Sequence, residues 1–459
     1  MHLLEAYYNR SPIFLQNGLI SLYGIKLYYE RFLGNHKYYL DWLLQSQWWS
    51  SQKIMGYQLA KVKELLQYSS ENIPYYNKVF KKNNLSVSDF KSLEDIKLLP
   101  ILDKETVRSK SELLISKKIP QRKLIKIHTS GSTGKTLKIF VDIDSRRKEY
   151  AFKSRLHKWA GLQNGKHNVT FGGRVVVPPG QKKKIFWRYN AVMDNFIFSS
   201  YHMSDENLPY YVEKLKKIEP LWIESYPSAI YTLAKYMLDK NINELSPKVI
   251  ITSAETLLDY QRDVVEKVFN CPIIDNYGCS EQAIFVSQCE KGTYHIHPEY
   301  GIVEILNDQG DEVSPGEIGR VVCTGFVNNA MPLIRYDIGD KVIQGEGICE
   351  CGRSFPIIKK IFGRKDDIIV TPTGRHIGRL DPVFKGLLSV KMAQIVQTRI
   401  NEIIVKIVPS NNYSDDDTKI IKNEMKNRVG ENIKIEVELV KDIPKSKNGK
   451  FKSVISKIS

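Results

Sequence analysis

The sequence predicts an α/β protein in two parts: a large domain of mixed helices and strands, and a small α+β domain towards its C-terminal end. Three observations carry that prediction. Short apolar runs such as 138–141 and 248–251 alternate with stretches of helical spacing at 205–218, 228–240 and 259–269, the pattern of α/β layers. The apolar run Ile302 to Leu306 is followed by turn clusters at 307–311 and 314–316, which predicts an added antiparallel, barrel-like β region. The last stretch reads as a strand at 403–408, a helix at 415–429 and an alternating strand at 433–439.

Length agrees with more than one core. At 459 residues the chain exceeds the roughly 250–300 residues at which a single core stops growing. We expect a helical, aromatic-rich extension over 1–70, a large domain over 71–362, and a small domain over 363–459. The second boundary falls at Phe362-Gly363-Arg364, where a glycine precedes a charged run. Within the extension, apolar residues at 54, 55, 59, 62, 65 and 66 have helical spacing and predict a helix that packs one face on a core. Tyr7, Tyr8, Trp42, Trp48 and Trp49 are read as packing residues. They could also rest on a membrane surface or a lipid-linked substrate, but nothing in the pattern calls for peripheral membrane contact.

Composition excludes several classes. Hydrophobic and charged shares of 42% and 26% are those of an ordinary soluble protein, and no apolar run approaches the roughly 20 residues of a spanning helix. Met1 to Arg10 lacks a basic segment followed by an apolar one, so a cytoplasmic location is expected. The net charge of +17 favours anionic partners, yet it is dispersed, with short clusters such as Lys182-Lys183-Lys184. No basic-aromatic stretch is present, and no nucleic-acid partner is expected. The six cysteines at 271, 279, 289, 323, 349 and 351 point to metal ligation or burial rather than a disulfide framework.

The first chemical signal is Thr129-Ser130-Gly131-Ser132-Thr133-Gly134-Lys135-Thr136. Two glycines free the backbone to turn its N–H groups toward an anion, four hydroxyls add donors, and Lys135 adds charge. The spacing is not that of a P-loop, and the loop precedes a strand-like run where a P-loop precedes a helix. Four further stretches follow: Tyr277-Gly278-Cys279-Ser280-Glu281, Arg335-Tyr336-Asp337-Ile338-Gly339-Asp340, Gly363-Arg364-Lys365-Asp366-Asp367, and Pro444-Lys445-Ser446-Lys447-Asn448-Gly449-Lys450.

These five stretches, in this order and spacing, resemble the adenylate-forming superfamily of acyl-CoA ligases, luciferases and peptide-synthetase adenylation domains. Within it the chain is similar to the phenylacetate–CoA ligase and capsule-biosynthesis (CapK-like) branch, over roughly residues 70–459. The resemblance implies ATP-dependent activation of a carboxylic acid through an acyl-adenylate, with Mg²⁺-assisted release of pyrophosphate and subsequent acyl transfer. It implies a large adenylate-forming domain with a small mobile one.

It also implies roles. Loop 129–136 would cradle the leaving phosphates. Glu281 would bind Mg²⁺, Ser280 would donate to the α-phosphate, and Tyr277, between Asn276 and Gly278, would stack on adenine. Ser253-Ala254-Glu255 would form an adenine-side wall. Asp340 and Arg364 would hold the ribose hydroxyls. Asp366 matches the hinge about which the small domain swings, and Lys450 would reach the α-phosphate and the carboxylate. The usual Thr of that last motif is replaced here by Ser446. Cys279 sits at a variable position and is read as packing.

Three Cys and one His make a closed tetrahedral set typical of structural zinc. Cys289 and His295, with Cys349 and Cys351, supply one, and some phenylacetate–CoA ligase-like members resemble this chain in that pattern. His297 competes as the ligand, and strand alternation cannot separate the two; family spacing favours His295.

The acid pocket is expected around 171–228, with Arg174, Trp187, His202, Tyr226 and Ser228 as its candidates. Together with Arg188 and Glu224, these suggest a polar or amino-bearing acid. The acceptor would be coenzyme A, as in aryl-CoA ligases of the phenylacetate type, or the amine or hydroxyl of a nucleotide- or lipid-linked sugar in polysaccharide, capsule or related secondary metabolism. A non-catalytic nucleotide-binding module is the contrasting class. It would be expected to lack Glu281, Asp340 or Lys450, and all three are present.

Overall fold

The computed structural model describes residues 7–128, 137–162, 167–178, 181–364, 369–372, 376–377, 380–384, 387, 389–444 and 451–458. The chain divides into two compact units. The first comprises residues 1–24, 165–275 and 362–459, the second 25–164 and 276–361.

The first unit contains a mainly parallel sheet in the order Trp187–Asn190, Asn195–Ser199, Asn168–Gly172, Trp222–Ser225, Val249–Ser253. Only the edge pair, Trp187–Asn190 with Asn195–Ser199, is antiparallel. Helices Leu208–Ile218, Pro227–Asp239 and Asp259–Phe269 alternate with these strands. Their apolar stripes (Tyr211 and Leu215; Ile230, Leu233 and Met237; Val265 and Phe269) bury against Val169, Ile223 and Ile250 of the sheet. This is the layered arrangement that alternating strand and helix periodicity dictates.

The C-terminal segment of this unit has a core of its own. Strands Lys434–Leu439, Glu402–Pro409, Val390–Arg399 and Val454–Ser456 form a four-stranded sheet in that order. Ile403, Val405 and Ile407 point from it to Ile421 and Met425 of helix Asp415–Val429, all fully buried. That helix begins at a capping box: Ser414 accepts from the Asp417 N–H, and the Asp417 carboxylate accepts from the Ser414 N–H. Asp415, Asp416 and Asp417 place negative charge where the helix dipole favours it.

The second unit is built on antiparallel pairs. Gly301–Leu306 pairs with Ile318–Gly325, which pairs with Tyr336–Gln344; Phe285–Gln288 pairs with Tyr294–Ile296, which pairs with Ile357–Arg364. The end of strand Ile273–Gly278 joins the same set through Asn276 to Gly278 opposite Ser287 to Phe285. A separate antiparallel hairpin, Ile125–His128 with Lys138–Val141, brackets the Ser/Gly/Thr stretch 129–136, which lies outside the described residues.

Helix Ser51–Asn72 starts where the Ser50 side chain accepts from the Lys53 N–H, and it sends Val62, Leu65 and Leu66 into the core of this unit. Trp42, Trp49 and Tyr57 pack on one another edge to face or tilted, with ring centres 5.5–5.8 Å apart. The packing reading fails for two other aromatics: Tyr7 is 60% and Trp48 57% exposed. Inside the unit Arg155 is fully buried. It donates to both Glu299 oxygens (2.7 and 3.1 Å) and to the Leu43 carbonyl (3.0 Å), and lies 2.6 Å from His297 Nδ1.

Candidate active site and metal centre

Two hydrogen bonds in the second unit draw the sequence-predicted acids together. Strand Ile273–Gly278 ends in a turn that carries Ser280 and Glu281, and strand Tyr336–Gln344 lies close enough for tyrosines to bridge the two. The Tyr277 hydroxyl donates to Asp340 Oδ2 at 2.8 Å, and the Tyr336 hydroxyl donates to Glu281 Oε1 at 3.2 Å. Glu281 is buried, Tyr277 and Asp340 are half-buried, and Ser280 and Gly278 are exposed. Burial, reinforced by the neighbouring carboxylates, lifts both tyrosines above their usual range, so each stays protonated and donates. Cys279 lies half-buried between them; burial and then the Glu281 charge raise its thiol, which argues against a nucleophile.

Asn276 has a buried Oδ1 with no hydrogen-bond partner among the described residues. An unpaired buried acceptor is costly unless a ligand satisfies it, and the exocyclic amine of adenine has the right polarity. Tyr336 is a functional residue that its motif alone does not reveal, since nothing in the spacing shows that its hydroxyl reaches Glu281.

In the first unit, Ser253 ends strand Val249–Ser253 and is followed by Ala254 at φ +71°, a left-handed conformation that costs a non-glycine residue energy and often marks a functional turn. The turn aims Glu255 at the start of helix Pro227–Asp239. There Glu255 accepts from the Ser228 N–H (3.0 Å) and the Ser228 hydroxyl (3.1 Å). Its Oε1 also accepts from the backbone N–H of Phe451 at 2.5 Å. Phe451 directly follows Lys450, which lies outside the described residues, as do Thr129, Ser130, Gly131, Ser132, Thr133, Gly134, Lys135 and Asp366, and the side chain of Arg364.

The candidate acid-pocket residues are not gathered into one cluster by direct contact. His202 hydrogen-bonds Ser199 at 2.7 Å and stacks on Phe186, and Trp187 packs on Phe198. Tyr226 is half-buried at the helix start beside Ser228, and Arg174 is exposed. Arg188, read from sequence as a polar contributor to the acid pocket, belongs elsewhere. It is fully buried and donates to Gln16 Oε1 at 2.5 Å and to the Trp187 carbonyl at 2.7 Å, because it anchors the N-terminal helix.

The second unit also brings Cys289, His295, Cys349 and Cys351 together, with all four ligand atoms within 4.8 Å of one another. Cys289 Sγ lies 3.7 Å from Cys349 Sγ, and Cys351 Sγ lies 3.3 Å from His295 Nε2. Thiolates at a zinc–sulfur distance of about 2.3 Å on a tetrahedron stand about 3.8 Å apart, so the set already has the dimensions of such a site. His295 Nδ1 faces the Phe355 carbonyl at 3.4 Å, which orients the ring and leaves Nε2 free to ligate. Burial brings the His295 imidazole down to about 4, so it is neutral at pH 7 as a ligand must be, and burial pushes the Cys289 thiol up to about 12. His297 is occupied on both sides, by Arg155 and by Ser287 Oγ at 2.8 Å, which separates the two histidines that strand pattern left equivalent. The Phe355 carbonyl leaves no mark in a sequence.

A family model described as the CapK C-terminal domain matches residues 369–457. The chain is 33% identical to Protein CapK of Staphylococcus aureus over 99% of its own length and 100% of that protein's. It is 24% identical to a phenylacetate-coenzyme A ligase of Thermus thermophilus, over 70% of this chain and 72% of that enzyme. Among solved structures it resembles a 2-hydroxyisobutyryl-CoA ligase in the postadenylation state with R3-HIB-AMP. The TM-score is 0.74 at 19% identity, covering 90% of this chain and 92% of that one. At that identity the structural likeness speaks for the fold.

Proposed function

Since the chain belongs to the CapK family of adenylate-forming ligases, we propose that it activates a carboxylic acid with ATP and passes the acyl group to a second acceptor. The observation that carries this is the paired arrangement Tyr277–Asp340 and Tyr336–Glu281, two carboxylates held by tyrosine hydroxyls.

In the first half-reaction a carboxylate oxygen of the acid attacks the α-phosphorus of ATP. The bond from that phosphorus to the bridging oxygen breaks, and pyrophosphate leaves. Two anions must meet, so catalysis rests on alignment and charge cancellation. Glu281 is the residue to hold Mg²⁺, which would neutralise phosphate charge; its hard carboxylate oxygens suit that ion. Ser280, exposed on the same turn, would donate to the α-phosphate. Asp340, already fixed by Tyr277, would accept from the ribose hydroxyls, to which Arg364 would add donors, and Tyr277 would lie against adenine. Residues 129–135 would enclose the leaving phosphates, and Lys450 would meet the charge that develops between carboxylate and phosphate. Asp366 would serve as the hinge of the C-terminal segment.

In the second half-reaction a nucleophile attacks the acyl carbon, the bond to the AMP oxygen breaks, and the nucleophile loses its proton. The names of the phenylacetate and 2-hydroxyisobutyryl relatives support coenzyme A as that nucleophile. The wider setting, polysaccharide or related secondary metabolism, is supported by the resemblance to capsule-type members.

Cys289, His295, Cys349 and Cys351 would hold a structural zinc. Three thiolates and one imidazole leave no open position for substrate, so this centre would tie the segments around 289–295 and 349–355 together and take no part in the chemistry. The experiment that tests the function is pyrophosphate release with ATP over a panel of acids, with and without coenzyme A. The proposal expects release that depends on both ATP and one class of acid.

A further inference from the structure

Helix Ile13–Phe32 turns a polar stripe toward the protein, beside the half-buried Ile20 and the buried Leu27. Gln16 is 2% exposed and accepts from Arg188 at 2.5 Å, Asn17 accepts from the Tyr189 N–H at 3.0 Å, and Ser21 accepts from the Ala191 N–H at 3.0 Å. One turn on, Gly24 meets the Asn190 side-chain amide so closely that a Cβ would collide with it. Residues 16, 17, 21 and 24 form a single stripe at helical spacing, locked to strand Trp187–Asn190 and the residue after it.

The opposite stripe is apolar and faces out. Phe14 is 71% exposed, Leu22 64% and Tyr23 52%, with Leu15 and Leu19 between them. A helix on a water-soluble surface normally shows the reverse polarity, and an outward apolar stripe of this length marks a surface that something apolar covers.

The chain segment that anchors the helix is basic. Val176 and Val177 pack against Ile20, so segment 174–178 runs alongside the helix, and Val175 in it is 54% exposed. Lys182, Lys183 and Lys184 are all exposed, directly after Gln181, whose side chain lies 3.4 Å from Arg188, the anchor of Gln16. Arg10 is exposed just before the helix. The whole chain carries +17.

We infer that this stripe docks the protein on an anionic lipid bilayer, with Phe14, Leu15, Leu19, Leu22 and Tyr23 entering the headgroup region and Lys182 and Lys183 meeting the lipid phosphates, whereas Lys184 donates to Asn207 at 3.0 Å. An apolar face with aromatic residues, in a protein with exposed lysines on the neighbouring segment, has the chemistry of interfacial docking. Among the described residues no helix is long and apolar enough to cross a membrane, so the helix would lie in the interface plane. A second copy of the chain is the weaker occupant, since a contact between two copies would bring two chains of net charge +17 together.

The test is co-sedimentation of the full chain with vesicles of phosphatidylcholine mixed with phosphatidylglycerol, and with vesicles of phosphatidylcholine alone. The expected result is binding to the mixed vesicles that falls at least about tenfold in Phe14→Ser/Leu22→Ser and in Lys182→Glu/Lys183→Glu, the scale of two buried apolar side chains or two surface charges. Melting temperature and pyrophosphate release in solution should stay at wild-type values in both variants, which separates docking from catalysis. Failure to bind either vesicle overturns the inference. So does a wild-type dimer that Phe14→Ser/Leu22→Ser dissociates without any vesicle binding, and equal binding to phosphatidylcholine alone overturns the anionic recognition.

Discussion

Glu255 and Phe451 are joined by a 2.5 Å hydrogen bond from the Phe451 backbone N–H to the Glu255 carboxylate, across 196 positions of sequence. The same carboxylate caps the start of helix Pro227–Asp239 through Ser228, where free N–H groups and the helix dipole favour negative charge. One side chain thus ties three segments, one of them next to Lys450. Glu255→Ala should lower the rate of pyrophosphate release at least about tenfold, since hydrogen bonds to a charged group are worth roughly 1.5–3 kcal/mol each. Rate and circular dichroism measured together check this; an unchanged rate in a folded variant would break the link between the tail and the site.

Tyr277→Phe removes the hydroxyl that fixes Asp340 and little else. At about 1 kcal/mol for a hydrogen bond, ATP affinity should weaken roughly fivefold or more. Titration calorimetry with ATP reads this directly, and an equal affinity would show that Asp340 needs no such support.

Metal analysis of the purified protein should give about one zinc per chain. Cys351→Ser should release it and lower the melting temperature, whereas His297→Gln should keep the metal, because His297 is bound to Arg155 and Ser287. A fully folded wild-type protein without metal would contradict the assignment.

Arg155 and Glu299 form a fully buried ion pair. Arg155→Met alone leaves an uncompensated buried carboxylate and should cost about 3–5 kcal/mol of stability in urea unfolding. Replacing both charges by apolar residues should cost much less. A double variant as damaged as the single one would mean that packing, not charge, governs this site.

His36 is buried beside Ser154, and burial lowers its imidazole below the ordinary value of 6.5. The unfolded chain therefore takes up a proton near pH 6.5 that the folded one refuses, so stability is present above that pH and is lost as pH falls through it. His36→Gln should flatten this part of the melting-temperature profile between about pH 7 and 5. An unaltered slope would remove His36 from the account.

The fold was legible wherever periodicity is strong. The helical spacing at 259–269 and 415–429 and the strand-like run at 138–141 coincide with the observed elements, because an apolar stripe must find a core. Sequence order also grouped the glycines, acids and cysteines of the candidate sites by motif. Hidden from it were contacts set by tertiary packing: the Tyr336 hydroxyl on Glu281, the Phe355 carbonyl behind His295, and Arg188 spent on Gln16. Helix Ile13–Phe32 was hidden for a different reason: it has apolar residues on more than one side, and spacing cannot say which of them face outward.

The most direct measurement is acid-dependent pyrophosphate release from ATP by the wild-type protein and by Lys450→Ala. The account predicts release with at least one class of carboxylic acid, reduced about a hundredfold or more in the variant while ATP binding persists. Binding of ATP with no release for any acid, or release that Lys450→Ala leaves untouched, would contradict it.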